Sequence, residues 1–187
     1  MKNENREIEV RFLNINPKVL IKKLQKLNAK DEGEYKITET IFYDKEKTWL
    51  NIGKFVRIRK AKDKILVSYK HHQKHTATDT VEIEFEVNDF NKARDFIESL
   101  GLVAFRIQEK KRHTFKLDNV TLDIDTWPTI PTYVEIEGES EEDLKDIAQK
   151  LDLDWKKAVF ENAKIVIEKY YRVPVSIYKY FTFKKIA

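Results

Sequence analysis

The sequence predicts an α+β fold: a largely antiparallel sheet of about eight strands, closed or strongly curved, with helices flanking it. Three observations lead there. The chain lays out two strand–helix–strand–strand–strand units in succession. Nearly every strand-like segment alternates apolar with charged residues at period two. Few connections are long enough to be parallel crossovers.

The first unit opens with REIEVRF at 6–12, where Ile8, Val10 and Phe12 fall on one side and Glu7, Glu9 and Arg11 on the other. NPKVLIKKLQKLNA then reads as a helix. Asn16 caps it, Pro17 suits its first position, and Val19, Leu20, Lys23, Leu24 and Leu27 form a largely apolar stripe. ITETIFYD (37–44), FVRIRKA (55–61) and KILVSYKH (64–71) follow as strands.

The second unit repeats this order. TVEIEFEV (80–87) takes the place of REIEVRF. Asp89 caps a helix whose apolar positions are Phe90, Ala93, Phe96, Ile97 and Leu100, and Gly101 is its C-cap. Strands are expected at 104–117, at VTLDID (120–125) and at TYVEIEG (132–138), with Asp118-Asn119 as the turn between the first two. Beyond the sheet, ESEEDLKDIAQKLDL is a helix with Ser140 and Asp143 as a capping pair and Leu144, Ile147, Ala148 and Leu151 as its apolar stripe. A last helix is expected over 158–171. The tail RVPVSIYKYFTFKKIA is rich in aromatic and apolar residues, so it packs on the body or on a second copy of the chain. A homodimer is therefore among the expected partners.

The length of 187 residues suits one domain, with a core over 6–170 and an extension over 171–187. Hydrophobic residues make up 41%, enough for a sizeable core, whereas charged residues reach 36%, well above the usual quarter. Absence of cysteine excludes disulfides and thiol catalysis. MKNENREIEV lacks an apolar signal-peptide stretch and no run of 18 apolar residues occurs, so the expectation is a cytoplasmic protein without membrane spans. A net charge of +4 favours polyanionic partners mildly.

The strand faces opposite the apolar ones are charged. Arg57 and Arg59 share one, Lys70 lies in phase with Ser68 and Leu66, and Glu82, Glu84 and Glu86 share another. Arg106, Gln108, Lys110 and Arg112 are co-facial, as are Asp123 and Asp125, and Glu135 and Glu137. On any single strand this pattern fits a solvated face. As a set it is unusual, because like charges recur at i and i+2 with little Thr, Ser or Asn to dilute them. Rolled inward, these faces line a wet pore. Clustered Lys and Arg suit phosphate oxygens, and clustered Asp and Glu suit a hard divalent cation such as Mg²⁺ or Mn²⁺.

In order along the chain, REIEVRF, VRIR (56–59), SYK (68–70), VEIEFEV (81–87), EKKR (109–112) and LDIDTWPTIPTYVEIEG (122–138) resemble the CYTH superfamily, the triphosphate tunnel metalloenzymes. The resemblance spans roughly residues 6 to 170. It implies an eight-stranded antiparallel closed barrel that forms a tunnel and handles a small-molecule triphosphate with Mg²⁺ or Mn²⁺. Carried over by motif, Glu7 and Glu9 match the amino-terminal metal-binding pair, and Glu137 with Glu135 match the last strand's metal-binding carboxylates. Glu7, Glu9 and Glu137 are the catalytic candidates. Arg11, Arg57, Arg59, Lys70, Lys110 and Arg112 match the phosphate-binding basics, and Glu82, Glu84 and Asp123 match supporting tunnel acids. Arg11 departs from the lysine usual in the signature.

The activity implied first is hydrolysis of a nucleoside or inorganic triphosphate. The alternatives are a class IV-type adenylate cyclase, which converts ATP to cyclic AMP and pyrophosphate, and a non-catalytic triphosphate or nucleic-acid binding module. Nucleic acid is disfavoured because acids are interspersed among the basics. No Walker-type glycine loop occurs. HHQKH (71–75) matches no standard zinc spacing and reads as a basic loop at the tunnel mouth, and His113 reads as structural. Trp127 lies in the proline-stiffened link TWPTIP, as part of a rigid loop or as a surface for a base.

Overall fold

A computed structural model describes residues 6–72 and 80–187, with side chains from Ile8 onward. Eight strands form the body: β1 (Arg6–Phe12), β2 (Lys30–Asp44), β3 (Lys54–Ala61), β4 (Lys64–His72), β5 (Thr80–Val87), β6 (Leu102–Leu117), β7 (Val120–Thr126) and β8 (Tyr133–Gly138). A short β9 (Tyr180–Phe181) joins them late. The helices are α1 (Pro17–Lys26), α2 (Thr48–Asn51), α3 (Phe90–Ser99), α4 (Glu141–Lys150) and α5 (Ala163–Ile165). Asn16 and Asp89 cap α1 and α3 by accepting backbone N–H bonds, and Ser140 caps α4 with Asp143 as its partner. No helix among the described residues is long and apolar enough to cross a membrane.

The strand order is β2-β3-β4-β5-β1-β8-β7-β6-β9, and β2 also pairs β6. Pairing among β1 to β8 is antiparallel. The sheet curls into a half-barrel and is not the fully closed barrel that the resemblance implies. The seam between β1 and β5 carries two pairs among the described residues, Arg6↔Val81 and Glu7↔Thr80. Farther along β1, the Arg11 N–H donates to the Val159 carbonyl (2.8 Å) and the Val159 N–H donates to the Arg11 carbonyl (2.9 Å). At Arg11 that backbone edge is taken by the segment after α4.

The apolar face points outward under the helices. Val10, Phe12, Phe115, Leu122, Ile124, Val134 and Ile136 pack beneath Leu20 and Leu24 of α1 and Leu144, Ile147 and Ala148 of α4. A smaller cluster joins Phe42, Ile58 and Val67 to Ile97 of α3. That helix covers less than its sequence pattern suggests. Phe96 and Leu100 are exposed, and on β5 Ile83 and Phe85 remain 45% and 52% exposed.

The carboxyl-terminal region departs most from expectation. The helix expected over 158–171 is broken. A 3₁₀ turn (Trp155–Lys157) leads into Val159, whose backbone is committed to β1. Asn162 then caps α5, which runs into a π-helical turn, Val166–Tyr170. The tail packs on the body, as expected. β9 lies parallel to β6 at Ile107 and Gln108, beyond the last β6–β7 pair, Lys111↔Thr126. Phe181 and Val175 bury against Trp127, Tyr133, Val159 and Ile167.

Because the core lies between helices and the outer sheet face, Leu122→Ala (0% exposed) should lower the free energy of unfolding by about 2–5 kcal/mol. Phe85→Ala, on the uncovered part of that face, should cost less than about 1 kcal/mol. Urea titrations of the two variants check this, and equal losses would contradict it.

Candidate active site

Inside the curve lies a cavity of about 530 Å³. Glu9 and Arg11 of β1, Arg57 and Arg59 of β3, Lys70 of β4, Lys110 and Arg112 of β6, and Glu135 of β8 line it. Eight of the residues singled out from the sequence therefore share one space. The rolled, charge-inward reading of the strand faces holds for these strands.

The charges meet across neighbouring strands because the register aligns them. Glu9 stands opposite Glu137 and Arg11 opposite Glu135. Arg11 Nη2 lies 2.6 Å from Glu135 Oε2 and 3.0 Å from Glu9 Oε1. Its Nη1 donates to the Glu161 carbonyl at 2.8 Å. Burial works against the charge of Arg11, but Glu135 and Glu9 outweigh it and hold the pKa well above the usual value. Arg11 Nε is buried and has no hydrogen-bond partner.

Glu135 also reaches Arg112 (3.2 Å), and despite burial its carboxyl is held well below the usual carboxylate range by Arg11, Arg112 and Lys110. Arg112 forks onto Asp125 (2.7 and 2.8 Å) and reaches Asp123 at 2.5 Å. Lys110 reaches Asp125 at 2.7 Å. Asp125 is 0% exposed and joins two cations. A second chain of pairs crosses the opposite wall. Glu39 holds Arg59 (3.0 Å) and Arg57 (3.3 Å), and Glu82 holds Arg57 (3.0 Å) and Lys70 (3.0 Å). Burial would raise the Glu39 carboxyl, but Arg57, Arg59 and Lys110 drive it far below the usual range.

Glu82, Glu84, Asp123 and Glu137 do not line the cavity itself. Glu82 and Glu84 lie behind Arg57, with Glu84 accepting from Ser68 Oγ at 2.5 Å, and Asp123 accepts from Thr114 Oγ1 at 2.6 Å. Burial pushes the Asp123 carboxyl up even beside Arg112. Glu137 has its carboxyl pushed up to about 7, by lost hydration first and then by the Glu135 and Glu9 charges. Glu7 lies outside the described side chains. Among the described residues no group of three His, Cys, Asp or Glu is disposed to hold a metal. Arg11 separates Glu9 from Glu135, which leaves Glu9 and Glu137 as the adjacent pair.

Two acids that organise the site, Glu39 and Asp125, escaped the sequence reading as site residues. Asp125 carried a signal, since it alternates in phase with Asp123. Glu39 carried almost none, because its face of β2 is otherwise Ile37, Ile41 and Tyr43. Trp127 is a buried wall of the cavity: its Nε1 donates to Tyr133 Oη (2.8 Å) and Lys110 Nζ lies 5.2 Å from its ring. His113 sits away from the cavity against Asp31 (2.7 Å), a structural role as expected. Of HHQKH, residues 73–75 lie outside the described residues. His72 lines the mouth and hydrogen-bonds Thr80 Oγ1 at 2.8 Å. Gly53 makes that mouth possible, because a Cβ there would lie 2.8 Å from the His72 carbonyl oxygen.

The model of the CYTH domain family matches residues 5–171. No curated protein matches the chain. Among solved structures, the PH1012 protein of Pyrococcus horikoshii is 25% identical, covering 83% of this chain and 96% of its own, with a TM-score of 0.70. A proposed adenylate cyclase from Vibrio parahaemolyticus is 14% identical over 88% of this chain and 98% of its own, with a TM-score of 0.76. A proposed adenylyl cyclase from Hippeastrum, described as having a dominant triphosphatase activity, is 12% identical over 90% of this chain and 96% of its own, with a TM-score of 0.63. The last two likenesses bear on fold.

His72 yields a pH prediction. Burial, then Lys70, Arg11 and Arg57, lower its pKa from 6.5 to about 3. Between those values the unfolded chain takes a proton that the folded chain refuses. Stability is therefore lost as pH falls below about 6.5, by up to about 1.4 kcal/mol per pH unit from this group. Urea unfolding at about pH 7 and about pH 5 should show a loss that His72→Gln reduces by about 1–2 kcal/mol. An undiminished loss in the variant would contradict a neutral, buried His72.

Proposed function

Because the chain belongs to the CYTH domain family, we propose that it hydrolyses a triphosphate in this cavity with Mg²⁺ or Mn²⁺. One observation carries the reading: Glu9, which lines the cavity among its cations, stands opposite Glu137 on the adjacent strand. Burial and the Glu135 and Glu9 charges push the Glu137 carboxyl up to about 7 against the pull of Lys70, and a divalent cation is a partner that suits such a crowded pair. In this reading Glu9 and Glu137 hold the metal, with Glu7 the next carboxylate along β1. The cation, when bound, supplies charge neutralisation on the reacting phosphoryl group and a polarised water.

The chain's own residues do the rest. Arg57, Arg59, Lys70, Lys110 and Arg112 bind phosphate oxygens and stabilise charge that shifts during transfer. The orphaned Nε–H of Arg11 is a donor waiting for an acceptor, and a phosphate oxygen is one. Glu135 serves here chiefly to orient Arg11 and Arg112. Asp125 and Glu39 fix the angles of their cation pairs, with Asp123, Glu82 and Glu84 behind them. Preorganised donors of this kind spare the reorganisation that water would need.

Cyclisation of ATP is the second reading. It is favoured by the apolar side chains Leu50, Ile52 and Phe55 in the cavity lining, a surface suited to a nucleoside. A metal-dependent assay on tripolyphosphate, ATP, GTP and thiamine triphosphate with product identification separates the two. Orthophosphate should be released from at least one of them, stop with EDTA, and fall at least about 100-fold in Glu9→Gln. Full activity in Glu9→Gln would sink the metal assignment, and cyclic AMP with pyrophosphate from ATP would replace hydrolysis with cyclisation.

A further inference from the structure

We propose that the hairpin at residues 180–187 is a docking surface for an anionic lipid bilayer, which the protein meets at its face without spanning it. This surface is separate from the cavity and independent of what the cavity binds.

Charge singles the segment out. Residues 172–187 hold Arg172, Lys179, Lys184 and Lys185 and no acid, which equals the whole net charge of +4. Residues 1–171 therefore carry no net charge.

The hairpin is closed and anchored. Tyr180 and Ala187 exchange backbone bonds in both directions (2.9 and 3.0 Å), and the Thr182 N–H donates to the Lys185 carbonyl (2.9 Å). Thr182 Oγ1 accepts from the Lys185 N–H at 2.9 Å. Phe181 is buried and stacks on Trp127, with ring centres 6.1 Å apart. Held in this way, the hairpin keeps Phe183 and Ile186 in the open, 41% and 40% exposed. Ile177, in the 3₁₀ turn Val175–Ile177 just before it, is 75% exposed.

The tip stands on the convex side of the sheet. The Phe183 N–H donates to Glu109 at 3.3 Å, and Lys111 Nζ lies 5.9 Å from the Phe183 ring centre. Glu109 and Lys111 alternate along β6 with Gln108, Lys110 and Arg112, which line the cavity on the other face.

The cations here are not neutralised as those of the cavity are. Lys185 Nζ lies 4.3 Å over the Tyr180 ring, and Lys179 Nζ lies 5.9 Å from it. A ring face attracts a cation but leaves its charge in place. Among the described residues Lys111, Lys179, Lys184 and Lys185 make no ion pair. Glu109, the acid that meets the tip, is taken by Lys36 at 2.6 Å.

An anionic bilayer suits both features of this surface. Its headgroups attract the lysines, each worth about fivefold in affinity near such a surface. Its acyl boundary accepts Phe183, Ile186 and Ile177. RNA would suit the lysines, but an isoleucine offers a base neither a flat face nor a hydrogen bond. A second copy is a poor occupant, because a two-fold contact sets these cations against themselves.

Co-sedimentation of the full chain with vesicles tests this. One set is phosphatidylcholine alone and the other is equal parts phosphatidylcholine and phosphatidylglycerol. Wild type should bind the mixed vesicles at least about tenfold more tightly, and less so as salt rises. Lys184→Glu with Lys185→Glu should lose at least about tenfold, and Phe183→Ser about fivefold. These side chains are exposed, so neither variant removes a core contact. Lys22→Glu with Lys26→Glu makes the same change in net charge at exposed positions on α1 and should bind as wild type does. Equal losses in the two charge variants would reduce the effect to net charge and overturn the hairpin as the docking surface. No binding to vesicles, or equal binding to both sets, also overturns it. Binding to polyuridylic acid with none to vesicles would give the surface to nucleic acid instead.

Discussion

Charge balance across neighbouring strands is the constraint on which everything else here depends. A curved sheet that turns Arg11, Arg57, Arg59, Lys110 and Arg112 inward would repel itself open without carboxylates at matching heights. Register supplies them. One chain of pairs runs from Glu9 through Arg11, Glu135 and Arg112 to Asp125 and Lys110. The other runs from Lys70 through Glu82, Arg57 and Glu39 to Arg59. Buried pairs of this sort add little net stability, because desolvation offsets most of their attraction. The free energy of folding comes from the other face, where α1, α3 and α4 cover the apolar side of the sheet. The usual sheet arrangement, apolar within and charged without, is thus reversed about the concave side.

Arg11 links that balance to the shape of the molecule. Its Nη2 serves two carboxylates, its Nη1 reaches the Glu161 carbonyl, and its backbone pairs with Val159. A planar fork makes this combination natural, with two arms at fixed angles, where a lysine presents one compact ammonium. The departure from the lysine of the signature and the docking of the segment after α4 therefore meet at one residue. The segment that Arg11 anchors goes on to form the mouth through α5 and Val175, so the carboxyl-terminal extension belongs to the cavity wall.

Much of this was legible in the sequence because period-two alternation survives folding. The inward positions of Glu9, Arg57, Lys110, Arg112 and Glu135 follow from it directly, and so do the outward Val10, Ile58 and Leu122. What alternation does not encode is the partner across the strand. Glu39 was invisible because its importance comes from Arg59 on β3 and Gln108 on β6, both far away in sequence. The broken last helix was hidden for a related reason. Residues 158–171 have helical spacing, but the backbone of Val159 is worth more as the edge partner of β1. Arg106 looked like one more member of a basic face, and that it makes no ion pair among the described residues emerges only in three dimensions.

The central claim is that the concave charges are a preformed receptor for a metal-bound triphosphate. Crystals grown with Mn²⁺ and tripolyphosphate test it most directly, through the anomalous signal of the metal. The account predicts Mn²⁺ coordinated by Glu9 and Glu137, with phosphate oxygens on Arg57, Arg59, Lys110 and Arg112. Metal and phosphate bound elsewhere on the protein, with the cavity and its ion pairs unchanged, would contradict it.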